Sequence, residues 1–110
     1  MDKSELQESF KEFIGSQEDK LLSKSKDYAT EKDLLSNFYK TAVVTNFLPE
    51  QIVLNQIGIK IVRLGELIGK GKEPLNESIT DNLIDLSNYS FLLYCLLKEK
   101  SERVETFHER

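Results

Sequence analysis

Three carboxylates, Glu77, Asp81 and Asp85, recur at intervals of four in the stretch Glu77-Ser78-Ile79-Thr80-Asp81-Asn82-Leu83-Ile84-Asp85-Leu86-Ser87-Asn88-Tyr89. On a helix, residues four apart share a face, so the three form one acidic column. Like charges at that spacing repel and weaken a helix, and a cation relieves the repulsion. Hard divalent cations such as Mg²⁺ take oxygen ligands and usually act together with substrate phosphates. The column therefore reads as the metal end of a nucleotide site, with Glu66 as a further ligand. The competing reading is a solvated acidic face in which Glu77 and Asp81 serve the positive end of a helix start. Spacing alone weighs the two equally. On the metal reading, neutralising Asp85 relieves repulsion and leaves the metal-free fold as stable or more so.

Lys60 and Arg63 stand three apart and hence on neighbouring positions of the preceding helix. Together they suit a phosphate, Arg through its planar fork and Lys as a point charge. The alternative is an ion pair with Glu77, Asp81 or Asp85, which the residue types by themselves favour. Lys26-Asp27-Tyr28 and Asn37-Phe38 are weaker signals. Tyr28 can stack on a base and Asn37 can read a base edge, while Phe38 reads as core. Gly69-Lys70-Gly71-Lys72 lacks the spacing and preceding strand of a phosphate-binding P-loop. His108 is the only histidine and lies in the C-terminal tail, and Cys95 sits within an apolar run. Neither points to nucleophilic catalysis.

Helical spacing dominates the elements that must position these residues. A first helix over about 4–24 carries Leu6, Phe10, Phe13, Ile14, Leu21 and Leu22, with Ser4 and Gln7 as a capping box and Gly15 as a soft spot. Lys26–Thr30 reads as a loop. A second helix from about Thr30 is closed at Asn46-Phe47-Leu48, because the residue before Pro49 is pushed out of the helical region. Pro49 opens a third helix with the stripe Val53, Ile57, Ile61, Leu64 and Ile68, ended by the loop from Gly69 to Pro74. A fourth starts near Asn76 or Ser78 and runs to about Lys100. Its buried face is expected at Ile79, Leu83, Leu86, Leu93 and Leu97, with the acidic column opposite and at the wet edge of a packed interface. Phe91, Leu92 and Cys95 extend that far side and predict self-association, since soluble monomers rarely expose such a patch.

The 110 residues suit a single domain, 1–110, with one modest core. Hydrophobic and charged shares of 39% and 31% are those of a globular chain. A net charge of −4 argues against broad duplex-DNA binding. One cysteine allows no internal disulfide and fits a reducing, cytoplasmic setting. The charged N-terminus does not read as a signal peptide, and no apolar run approaches the ~20 residues that span a bilayer.

The order Lys26-Asp27-Tyr28, Asn37-Phe38, Lys60-x-x-Arg63-Leu64, Glu77-Ser78-x-x-Asp81-x-x-x-Asp85-Leu86-x-Asn88-Tyr89 resembles the nucleotide modification associated domain type 1 family, small proteins common in phages and prophages. The resemblance covers roughly Leu21 to Lys98. It extends in helical layout to the MazG-like all-α nucleoside triphosphate pyrophosphatases. It implies an all-α four-helix bundle, homo-oligomeric, that binds a nucleotide and Mg²⁺. In the catalytic reading Lys60 and Arg63 stabilise phosphate charge, Glu77, Asp81, Asp85 and Glu66 hold the metal, and Lys26, Asp27, Tyr28 and Asn37 hold the nucleotide. The MazG-like pattern has an ExxE pair and an ExxD pair. By helix position Arg63-x-x-Glu66 and Asn82-x-x-Asp85 stand in their places, and Ile59 stands where many relatives carry an acid before the lysine. Those departures favour binding over cleavage. Two alternatives stand beside a Mg²⁺-dependent pyrophosphohydrolase: a non-catalytic phage protein that sequesters a nucleotide, and a purely structural helical interaction module.

Overall fold

A computed structural model describes the backbone of residues 1–28, 35–71, 73 and 76–109, and the side chains of these except 24–28 and 104–109. The described chain is all-helical, with four helices and no strand: α1 (Lys3–Tyr28), α2 (Ser36–Thr45), α3 (Pro49–Gly69) and α4 (Glu77–Glu109). α3 and α4 form the main packed pair; α2 lies against α3, and α1 against α4.

The helix ends follow local chemistry. Asp2 Oδ1 accepts from the Glu5 backbone N–H at 2.9 Å and caps α1, in place of the expected Ser4–Gln7 box. α1 passes through Gly15 unbroken and stays helical to Tyr28, where the sequence predicts a loop from Lys26. The expected start of α2 at Thr30 lies outside the described residues; Leu35 stands at its observed N-cap. At the far end Asn46 adopts a left-handed conformation (φ 58°) and its N–H bonds the Ala42 carbonyl. Asn tolerates that conformation because its short side chain bonds locally. Pro49 is the first residue of α3, as expected. The Gln51 side chain accepts from the Leu48 N–H at 2.8 Å. Asn76 Oδ1 accepts from the Ile79 N–H at 2.9 Å, which caps α4.

Ala42, Leu64, Ile79 and Ile84 are buried, and one cluster of the apolar core joins α2, α3 and α4. Leu35, Val53 and Leu96 are its buried centre, surrounded by Phe38, Tyr39, Ile57, Tyr89, Leu92, Leu93 and Cys95. Beside it, Tyr39 Oη donates to Glu99 Oε2 at 2.6 Å and accepts from Arg103 Nη2 at 3.1 Å. Lys100 pairs with Glu50 at 3.2 Å. These contacts tie α2 and α3 to the distal part of α4.

Two expected faces are rotated. On α3 Val53, Ile57 and Leu64 turn inward, but Ile61 and Ile68 are exposed. The buried arc is centred nearer Lys60 and Leu67. On α4 the buried positions are Ile79, Asn82, Ile84, Asp85, Asn88 and Leu96, while Leu97 is exposed. The side carrying Asp85 is therefore the inward side, not the wet one, because α1 and α3 both pack there. It also takes in Leu92 and Cys95, which join the core, whereas Phe91 stays half-exposed and stacks on Tyr94 at 6.5 Å.

Candidate functional site

At roughly 100° per residue, Asp81, Asn82, Asp85, Asn88, Tyr89, Leu92 and Leu96 share one arc of α4. Towards its C-terminal end this arc is apolar and seals the core. Towards its N-terminal end it is polar, yet Asn82, Asp85 and Asn88 are all under a tenth exposed. Burying polar groups costs free energy unless partners meet them, so the polar half of the arc needs its own account.

Asp85 is met by two lysines. Lys20 of α1 reaches Oδ1 and Lys60 of α3 reaches Oδ2, each at 3.0 Å. The three side chains come from three helices, and their exposures run from 9% for Asp85 through 14% for Lys60 to 27% for Lys20. Lys20 also stands 3.7 Å from the Asp81 carboxylate and donates to the Asp81 backbone carbonyl at 3.3 Å. Asp81, whose side chain is 55% exposed, adds a second carboxylate beside Lys20. At an effective dielectric near 20, a pair at ~4 Å is worth about 4 kcal/mol before desolvation is subtracted. The group therefore locks α1 and α3 onto α4 more by specifying geometry than by net energy.

Two amides flank the carboxylate. Asn82 donates to the Ser78 carbonyl at 2.7 Å, and Asn88 donates to the Gln17 carbonyl of α1 at 3.2 Å. The Oδ1 atoms of both are buried and accept no hydrogen bond from the described residues. A buried acceptor left unmet costs ~1–3 kcal/mol. The seam thus presents cationic donors at its centre and unsatisfied acceptors on both sides. That is a chemistry for an anion carrying hydroxyl or amino groups.

The acidic column does not stay together. Asp85 is inside and charge-paired, Asp81 is at the rim, and Glu77 is exposed one turn further out. Glu66 is exposed on α3. Among the described residues, no three His, Cys, Asp or Glu side chains converge as a metal-holding group. Asp81 and Asp85 are the carboxylates nearest one another through Lys20. Both oxygens of Asp85 face ammonium groups, which leaves the exposed carboxylate of Asp81 as the accessible one of the two.

Lys60 joins the seam, as the ion-pair alternative had it. Arg63, three residues on, is exposed and takes no part. Asn37 is half-buried on α2 beside the core residue Phe38. The side chains of Lys26, Asp27 and Tyr28 lie outside the described residues, although their backbone continues α1. Sequence reasoning missed Lys20, Asn82 and Asn88. A signal existed for each: Lys20 falls on the α1 arc of Phe13, Gln17 and Leu21, and the two amides stand three residues either side of Asp85. Cys95 packs against the core, and burial pushes its thiol above the ordinary value, with Lys98 opposing and Glu99 adding to the shift. It is a core residue and not an activated nucleophile. No helix among the described residues is long and apolar enough to cross a membrane. No family model, no curated protein and no solved structure matches the chain.

Proposed function

We propose that this chain is a nucleotide-binding helical protein, working as a homo-oligomer, whose ligand occupies the seam between α1, α3 and α4. The observation that supports it is the buried polar arc. Lys20 and Lys60 converge from two helices on Asp85, flanked by the unmet acceptors of Asn82 and Asn88. Phosphate oxygens suit the lysine donors. Sugar hydroxyls or base amino groups suit the amide acceptors. Lys26, Asp27, Tyr28 and Asn37 keep the base-side roles that the family resemblance implies. Mg²⁺ enters with the phosphates, with Asp81 as its accessible carboxylate. Binding is favoured over hydrolysis, because Arg63 and Glu66 stand away from the seam and both oxygens of Asp85 already face ammonium groups.

A thermal-shift series with nucleoside mono-, di- and triphosphates and inorganic triphosphate, each with and without Mg²⁺, tests the reading. A ligand at a hundred times its Kd adds about 2.7 kcal/mol to stability. The expected result is stabilisation by a nucleotide that Lys60→Met abolishes. Absence of any shift at millimolar nucleotide refutes it. A second reading, a helical interaction module with no small ligand, is favoured by the exposed apolar side chains of α2 and α3. It predicts assembly without any nucleotide effect.

A further inference from the structure

From Gln51 to Val62 the outward side of α3 is largely apolar and carries no charge, and the exposed Arg63 and Glu66 follow it. Gln51, Leu54, Asn55, Gly58, Ile59 and Val62 line one shallow groove along it. Between Gln51 and Val62 the only charged residue is Lys60, and its ammonium is on the opposite side, 3.0 Å from Asp85. In a chain that is 31% charged, a three-turn face without a charge is a departure. The apolar surface continues at the corner where α2 meets α3. Val43 and Val44 are more than four-fifths exposed there, and Phe47, Leu54, Ile61 and Val62 are each more than half exposed.

We infer that this face is the interface between two copies of the chain, related by a two-fold axis with their α3 helices crossing near Gly58. The inference rests on the self-association part of the proposed function and assigns it a surface. Three considerations point to a second copy. Across a two-fold axis a surface meets itself, so a charged face repels its own image and an uncharged one does not. Complete burial of an aliphatic side chain at ~25 cal/mol per Å² corresponds to roughly 60–120 Å². Six side chains at these exposures then offer roughly 400 Å², and Leu48 and Ile59 add to it. A standard interface buries ~800 Å² per partner, of which homodimers make about 65% apolar, or roughly 500 Å². The available area matches that need. Finally, Gly58 carries no side chain and faces open space, so the helix surface is low near the middle of the groove. Two helices can approach closely there. The expectation that Phe91, Leu92 and Cys95 form the patch is replaced, because Leu92 and Cys95 pack inside.

Sedimentation equilibrium at micromolar concentration tests this, since interfaces of this area have micromolar or tighter affinity. Wild type is expected at the dimer mass. Val62→Glu and Leu54→Glu are expected at the monomer mass with unchanged helical circular dichroism, and Phe91→Glu is expected to remain dimeric. Gly58→Cys in a Cys95→Ala background is expected to form a disulfide-linked dimer under mild oxidation, whereas Tyr94→Cys is not. A monomeric wild type overturns both self-association and this interface. A dimer that survives Val62→Glu, or that fails to cross-link through Gly58→Cys, overturns the interface alone. Loss of nucleotide binding in Lys60→Met with the dimer intact shows the two sites to be separate and supports the assignment.

Discussion

Asp85→Asn separates the structure from the column argument, because the two predict opposite signs. If Asp85 belonged to a repelling column, its neutralisation would leave the metal-free protein as stable or more so. In the structure it is the shared counter-ion of Lys20 and Lys60, each 3.0 Å away. The amide keeps one acceptor for one lysine and turns an NH₂ donor towards the other. Two ammonium groups are then left close together without a carboxylate between them. Breaking a buried pair by removing one partner costs ~3–5 kcal/mol. Lys60 and Lys20 are 14% and 27% exposed, so their long stems can carry part of the charge outward. The expected cost is about 2–3 kcal/mol. At ~2.1 cal/mol/K of unfolding entropy per residue, that corresponds to a fall in Tm of roughly 9–13 °C for a domain of this size. Urea and thermal unfolding followed by circular dichroism, in low and moderate salt without nucleotide, measure it. A second substitution, Lys60→Met in the Asp85→Asn background, should recover part of the loss, since it removes one stranded charge. An Asp85→Asn variant within ~0.5 kcal/mol of wild type, or more stable than it, refutes the reasoning.

Three further outcomes follow from single contacts. Lys20→Met removes the ammonium that holds α1 to both Asp81 and Asp85; hydrogen exchange of α1 should accelerate while that of α3 stays near wild type, and uniform acceleration would show that α1 is not a separate unit. Asn76→Ala deletes the cap on the Ile79 N–H and should cost ~1 kcal/mol in urea unfolding, whereas Asn76→Asp should not. For Cys95 the folded thiol titrates above its ordinary value of 9.0 because burial disfavours the thiolate. Its contribution to stability is therefore complete below that value and lost as pH rises past it. Cys95→Ala should flatten the alkaline limb of the stability curve, and alkylation of native protein at pH 8 should be slower than of unfolded protein.

The four helices, the turn between α2 and α3, the end of α3 and the start of α4 were legible in the chain because local chemistry sets them. Pro49 cannot accept a preceding helical residue, the loop after Gly69 breaks the period, and Asn76 offers a cap wherever the chain lies. Phe38, Val53, Ile57 and Leu64 were likewise readable as core from their spacing. The ends of α1 and α4 were not, since α1 continues past Lys26 to Tyr28 and α4 past Lys100 to Glu109, with no Pro or Gly in either stretch to stop the helix.

The orientation of α4 was decided only in three dimensions. Its sequence carries apolar residues on both sides of the acidic column, so periodicity leaves two inward faces to choose between. Ile79, Leu83, Leu86, Leu93 and Leu97 made the more apolar choice; Ile79 is buried and Leu93 packs on the core, but Leu97 is exposed, and the arc that Leu92 and Leu96 share with Asp85 meets Val53 and Leu35. What allows the polar half of that arc to be buried is the arrival of Lys20 from 65 residues upstream and Lys60 from 25 residues upstream of Asp85. A carboxylate's neighbours in sequence state its charge; whether that charge is repelled, solvated or paired depends on which helices pack beside it. By itself the sequence determined an all-helical chain and the turn that Asn46 to Pro49 makes between α2 and α3, because those depend on contacts within a few residues. The tertiary structure alone decided that Asp85 is a buried counter-ion and that the uncharged groove between Gln51 and Val62 of α3 faces outward, because both depend on how helices distant in the chain pack together.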